Sequence, residues 1–129
     1  MSAELTYLVW VTVLTMVLWV PYILDRFAVR GIADTVGYPN DPRPQSPWAV
    51  RLTKAHTNAV ENLVVFATLV LVAEIAGATN GVTATAALVY FWARLAHAIV
   101  YALGIPWLRT LAFTAGFFAQ VAIAWQLLA

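Results

Sequence analysis

Arg51, Lys54, Asn58, Glu61 and Asn62 open a segment that then runs apolar through Val72, in a chain that is only 10% charged. At about 100° per residue along an α-helix, the five directions fall within a sector of roughly 100°, and His56 points to the far side. Polar side chains at membrane depth are costly and face a partner or a cavity. Cations, amides and a carboxylate gathered in this way suit a polar, anionic molecule. Metal chemistry is not indicated, because no HxxxH or HxxE spacing joins the histidines to each other or to an acid. The chain has no cysteine, so a disulfide, a thiolate metal site and a protein thiol nucleophile are all excluded. Any sulfur chemistry would come from a ligand.

A second cluster matches the first. Tyr90, Arg94, His97 and Tyr101 fall within roughly 60° on a helix. Glu61 lies about ten residues, or roughly 15 Å, beyond Arg51, and Arg94 lies a similar distance before Gly104. With the two helices antiparallel, the two opposite charges share a depth. Glu61 and Arg94 are expected to pair in the bundle interior, as buried charges normally do, and such a pair leaves room for a ligand beside it. Arg51, Lys54, Asn58 and the two tyrosines then complete an anion site. For Arg51 and Lys54 the alternative is that they reach to lipid headgroups from the first turns of their helix. His56 is expected to be a packed or interfacial histidine, His97 a member of the polar face, and Glu74 a solvated residue at the opposite helix end.

The elements that must position these residues follow from composition. The 129 residues are 63% hydrophobic, with a mean hydropathy of +0.81, well above a soluble domain. Uncharged stretches run over 5–24, 75–93 and 110–129, each close to the roughly 20 residues that cross the hydrocarbon. A further helix fits from about Trp48. The fold class is therefore all-α, an integral membrane four-helix bundle in one domain over 1–129, with helices over roughly 4–29, 48–76, 82–104 and 107–128. Pro21 is placed to kink the first span. The connection over 31–47 carries Pro39, Pro42, Pro44 and Pro47, which should exclude regular helix.

Arg26, Arg30, Arg43, Arg51 and Lys54 cluster in or beside the first loop and Arg109 sits by the third, while the second loop has no Lys or Arg. The positive-inside rule puts loops one and three in the cytoplasm and both termini on the opposite side. The first span is too long for a signal-peptide core and has no basic region before it, so it is expected to stay in the mature protein. A formal net charge of +1 and the absence of any Lys/Arg run exclude nucleic acid as a partner.

The run Arg51-Leu-Thr-Lys54-Ala-His56-Thr-Asn58-Ala-Val-Glu61-Asn62, followed by an apolar stretch, resembles the second-helix signature of the MAPEG family, membrane-associated proteins in eicosanoid and glutathione metabolism. Ala93-Arg94-Leu-Ala-His97-Ala-Ile-Val-Tyr101 in the third helix and Arg109-Thr110 near the fourth extend the likeness, which covers about residues 48–115. The resemblance implies a homotrimer that binds glutathione between neighbouring subunits near the cytoplasmic surface. Residues matching Arg51, Asn58 and Glu61 would hold glutathione with help from those matching Arg94 and Tyr101, while Lys54 and His97 complete the polar faces. Arg109 resembles the arginine that stabilises the glutathione thiolate, with a lipophilic small molecule arriving among the membrane lipids. Lys54 stands where many members have arginine, and Phe113 where some have tyrosine. The family's first-helix basic residue matches either Arg26 or Arg30.

Three functions compete. The first is a glutathione transferase or peroxidase acting on lipophilic electrophiles, with Arg109 as its catalytic residue. The second is a non-catalytic membrane protein holding glutathione, a lipid headgroup or another anion at the same site, for which Arg109 is dispensable. The third is a small multidrug exporter, but such exporters place a glutamate in the first helix, where this chain is uncharged from Leu5 to Leu24.

Overall fold

A computed structural model describes residues 1–129. The chain is all-helical: α1 spans Ala3–Val17, α2 Trp19–Val36, α3 Pro47–Ile75, α4 Gly81–Leu103 and α5 Pro106–Leu128. Leu18 keeps helical angles between α1 and α2, so the two run on as one rod. This gives four helices long and apolar enough to cross a membrane. The interruption at Leu18 lies where Pro21, having no N–H, leaves the carbonyl of Val17 without its usual donor.

The first helix, expected over 4–29, runs on to Val36. Gly31 adopts φ +77°, which only glycine takes without strain, and the chain then resumes a short helical segment. The irregular connection expected over 31–47 is thus confined to 37–46, because the prolines that exclude helix begin at Pro39.

That connection is pinned to α2. Asp25 accepts from the Ser46 backbone N–H at 3.0 Å and from its hydroxyl at 2.5 Å. Gln45 donates to the carbonyl of Tyr22 at 2.7 Å and accepts from Arg26. Arg30 donates to the carbonyl of Arg43 at 2.7 Å. A carboxylate at the start of α3 also complements the positive end of that helix. His56 accepts its place from Tyr22, 2.8 Å away on α2, and so packs away from the polar stripe as expected.

At the opposite end, Asn80 caps α4 with a reciprocal box involving Thr83 and donates to Gln126 of α5 at 2.8 Å. Glu74, expected to be solvated, is instead half-buried and accepts from the Ser2 hydroxyl. Ser2, the N-cap of α1, lies beside the end of α3 and supplies that partner.

Two apolar clusters fill the interior. Val11, Phe66, Val70, Ala87, Tyr90 and Ile123 form the larger, and Leu18, Leu52, Ala55, Ala59 and Ala98 the smaller. Ala49, Ala55 and Ala73 of α3 and Ala87 of α4 are fully enclosed, since small side chains let membrane helices approach closely. Only 24 of 129 residues are buried, so most large apolar side chains face outward, where lipid or another subunit is their solvent.

Candidate functional site

The polar residues collect at the end of the bundle that carries the α2–α3 and α4–α5 connections. Arg51, in the second turn of α3, donates from Nε to the carbonyl of Ala102 at 3.0 Å. Ala102 is among the last four residues of α4, whose carbonyls have no intrahelical donor. A guanidinium there satisfies one of them and complements the negative helix end. Gly104 makes the approach possible. It adopts φ +77°, and a Cβ at this position would stand 3.2 Å from Cζ and Nε of Arg51.

Tyr101 and Arg109 face each other across the α4–α5 turn, with the Arg109 Cζ 4.8 Å from the Tyr101 ring centroid. The His97 ring meets Tyr101 edge-on at 5.4 Å and lies 6.4 Å from the Phe113 ring. Two adjoining clefts share Tyr101 and Arg109. The smaller, about 150 Å³, is lined by Arg51, Tyr101, Gly104, Ile105, Pro106 and Arg109. The larger, about 290 Å³, is lined by Asn58, His97, Tyr101, Arg109, Thr110 and Phe113. Two guanidinium groups face this space and no carboxylate does, so an anion is the natural occupant.

The stripe on α3 divides. Arg51, Asn58 and Asn62 form its inner edge, half-buried toward α4 and α5, whereas Lys54 and Glu61 form its outer edge and are exposed. The ion pair expected between Glu61 and Arg94 is not made. Glu61 has no hydrogen-bonded or ionic partner within the chain, and Arg94, 3% exposed, donates from Nη2 to Asn58 Oδ1 at 2.8 Å. The two charges share a depth, but Glu61 points outward past the edge of the α3–α4 interface.

Behind the clefts the polar interior continues. Asn62 donates to the Asn58 backbone carbonyl at 2.9 Å and to Asn58 Oδ1 at 3.3 Å, and Gln120 of α5 donates to the Asn62 carbonyl at 3.2 Å. Tyr90 stacks on Phe66 with centroids 3.9 Å apart. The Tyr90 hydroxyl, Arg94 Nε and His97 Nδ1 are buried without a hydrogen-bond partner. Arg94 and Tyr90 therefore lie deeper than the clefts rather than on their walls.

Sequence reasoning missed Gln120 as the α5 member of the polar interior and Asp25 as the anchor of α3, whereas Thr110 and Phe113, which entered only through the family likeness, stand as cleft walls. Gln120 carried a usable signal, as one of only two amides, with Gln126, in the uncharged stretch over 110–129. Apart from that likeness, Thr110 and Phe113 carried no signal, since threonine and phenylalanine are ordinary on any membrane helix.

No curated protein matches the chain. The family model for the MAPEG family matches residues 6–129, nearly the whole length.

Proposed function

This chain belongs to the MAPEG family, and from that premise we propose that it binds glutathione in the clefts between α3, α4 and α5 and delivers the thiolate to a lipophilic electrophile or hydroperoxide. The observation that carries this reading is the shared wall of the two clefts, where Arg109 lies over Tyr101 and Arg51 stands opposite, with no acid among them. Glutathione brings two carboxylates, an amide backbone and a thiol. Arg51 is placed for a carboxylate, Asn58 for an amide or carboxylate oxygen, and Arg109 for the sulfur.

A free thiol has a pKa of about 8.5 and is mostly protonated at neutral pH, and an adjacent cation lowers that value. Arg109 thus raises the fraction of thiolate. In the transferase reaction the thiolate sulfur bonds to an electrophilic carbon as the leaving group departs, or as a strained ring opens. The electrophile enters from the bilayer, toward which Phe113 and the outward apolar faces of α4 and α5 are turned.

Glu61 extends the reading to assembly. It stands exposed about halfway along α3 beside exposed Val60, Val64 and Val65, and a carboxylate facing hydrocarbon is costly. A homotrimer in which a neighbouring subunit covers this face would enclose Glu61 and Lys54. Glu61 could then pair with the ammonium of glutathione held at the subunit boundary. By the positive-inside rule, the basic residues near this end support a site in the cytoplasmic leaflet.

The experiment is thiolate absorbance in the ultraviolet on mixing purified protein with glutathione, for wild type and Arg109→Ala. A signal in wild type that disappears in the variant supports catalysis. Tight binding with no thiolate in either protein identifies the ligand-holding alternative, and no binding removes glutathione from the account.

A further inference from the structure

Arg94 is the most deeply buried cation of the chain and lines neither cleft, although its Nη2 reaches Asn58 Oδ1 at 2.8 Å. An arginine has donors and no acceptor. The Asn58 atom facing it must therefore be the oxygen, which settles an amide orientation that is otherwise a matter of assignment. Asn62 Nδ2, 3.3 Å away, adds a second donor to the same oxygen. Both lone-pair directions of that oxygen are then in use. The Asn58 Nδ2 group makes no hydrogen bond within the chain and is not among the buried unpartnered atoms, and Asn58 lines the larger cleft.

We propose that Arg94 is a positioning residue, which acts on the ligand through Asn58 rather than by touching it, and which turns the Asn58 NH₂ outward so that this wall of the cleft can only donate. The consequence is a selection rule. Whatever part of the ligand lies against Asn58 must be an acceptor, a carboxylate or an amide carbonyl, and a ligand group that donates there is rejected because the two donors would face each other. With Arg109 on the same cleft and Arg51 on the adjoining one, the site offers donors from α3 and α5 and is matched to an acceptor-rich peptide. The burial of Arg94 serves this role. A guanidinium with no carboxylate partner and an idle Nε is held for the one contact that it makes.

The inference rests on the glutathione reading for its ligand, and the test separates the two. Glutathione affinity is measured by equilibrium dialysis for Arg94→Met, Asn58→Ala and the double variant, each first checked for helical circular dichroism and assembly size. Each single change should weaken binding roughly tenfold, and the double variant should bind within about twofold of Asn58→Ala alone, since Arg94 has nothing left to orient. Arg94→Lys, which keeps a charged donor, should recover part of the loss. Additive losses, near a hundredfold in the double variant, would overturn the proposal in favour of direct contact, and so would an Arg94→Met variant that binds like wild type.

Should Arg94→Met fail to fold, Asn58→Asp keeps an acceptor toward Arg94 and replaces the outward donor by a carboxylate oxygen. It should retain the wild-type unfolding temperature and lose binding tenfold or more, and unchanged binding would sink the idea. If wild type binds no glutathione, the functional reading fails on its own. The amide lock is then read without ligand from the Asn58 side-chain ¹⁵N–¹H resonances, which should shift and exchange faster in Arg94→Lys; unmoved resonances overturn it.

Discussion

Asn58 and Glu61 stand one turn apart on α3 and belong to different surfaces: the Asn58 amide meets Arg94 of α4 inside the chain, while the Glu61 carboxylate stands exposed. The same helix thus contributes both to an interior site and to an outer face that carries charge. A single chain in lipid would leave that charge against hydrocarbon.

Assembly is the first expected outcome. Light scattering of the detergent-solubilised protein should give the mass of three chains. Glu61→Gln, which removes the charge and keeps the shape, should leave that mass unchanged and weaken glutathione binding roughly tenfold, as expected for a hydrogen bond to a charged group. A monomeric protein with wild-type affinity in the Gln variant would remove Glu61 from the site.

The Tyr101 ring should matter to Arg109 more than the Tyr101 hydroxyl does. A cation over an aromatic face contributes about 0.5–1 kcal/mol at accessible sites. Tyr101→Phe should keep most of the thiolate signal formed with glutathione, and Tyr101→Leu should lower it severalfold by freeing the guanidinium. Equal losses in the two variants would point to the hydroxyl as the ligand contact instead.

Gly104→Ala is expected to act twice. An alanine held at φ +77° costs about 1–2 kcal/mol, and its Cβ would press on the Arg51 guanidinium at 3.2 Å. Thermal unfolding should therefore shift down by several degrees, and glutathione affinity should fall with it. Gly31→Ala supplies the control, because it has the same φ with nothing within 4 Å of the added Cβ. That variant should lose stability and keep its affinity.

Asp25→Ala should destabilise without disturbing binding. The carboxylate anchors Ser46 at the start of α3 through two hydrogen bonds, and loss of such a cap costs about 1 kcal/mol. A lowered unfolding temperature at unchanged glutathione Kd is the expected pair of readings. A matching loss of affinity would show that the α2–α3 connection shapes the cleft.

The four helices able to cross a membrane were legible from the length and apolarity of each stretch, and the direction of His56 away from the polar stripe from the helical period alone. Periodicity gives an angle about one helix axis, however, and says nothing of where the neighbouring helix lies. A polar sector of roughly 100° is wider than one helix–helix contact, so its edge at Lys54 and Glu61 falls outside while Arg51, Asn58 and Asn62 fall inside. Equal depth made Glu61 and Arg94 look like partners, and the difference in azimuth separates them. The interruption at Leu18 was foreshadowed by Pro21, whereas the helical turn after Gly31 was hidden, because it is set by one residue whose effect depends on the backbone around it.

The bond from Arg51 Nε to the Ala102 carbonyl works as a tether. An arginine side chain carries about 2 kcal/mol of rotamer freedom, and here much of that freedom is surrendered when the bundle folds instead of when a ligand arrives. With Nε committed, the two terminal nitrogens remain as an end-on fork of fixed aim, suited to both oxygens of one carboxylate. The tether thus makes the cleft a ready socket, and it ties the grip on the ligand to the integrity of the α4–α5 hairpin.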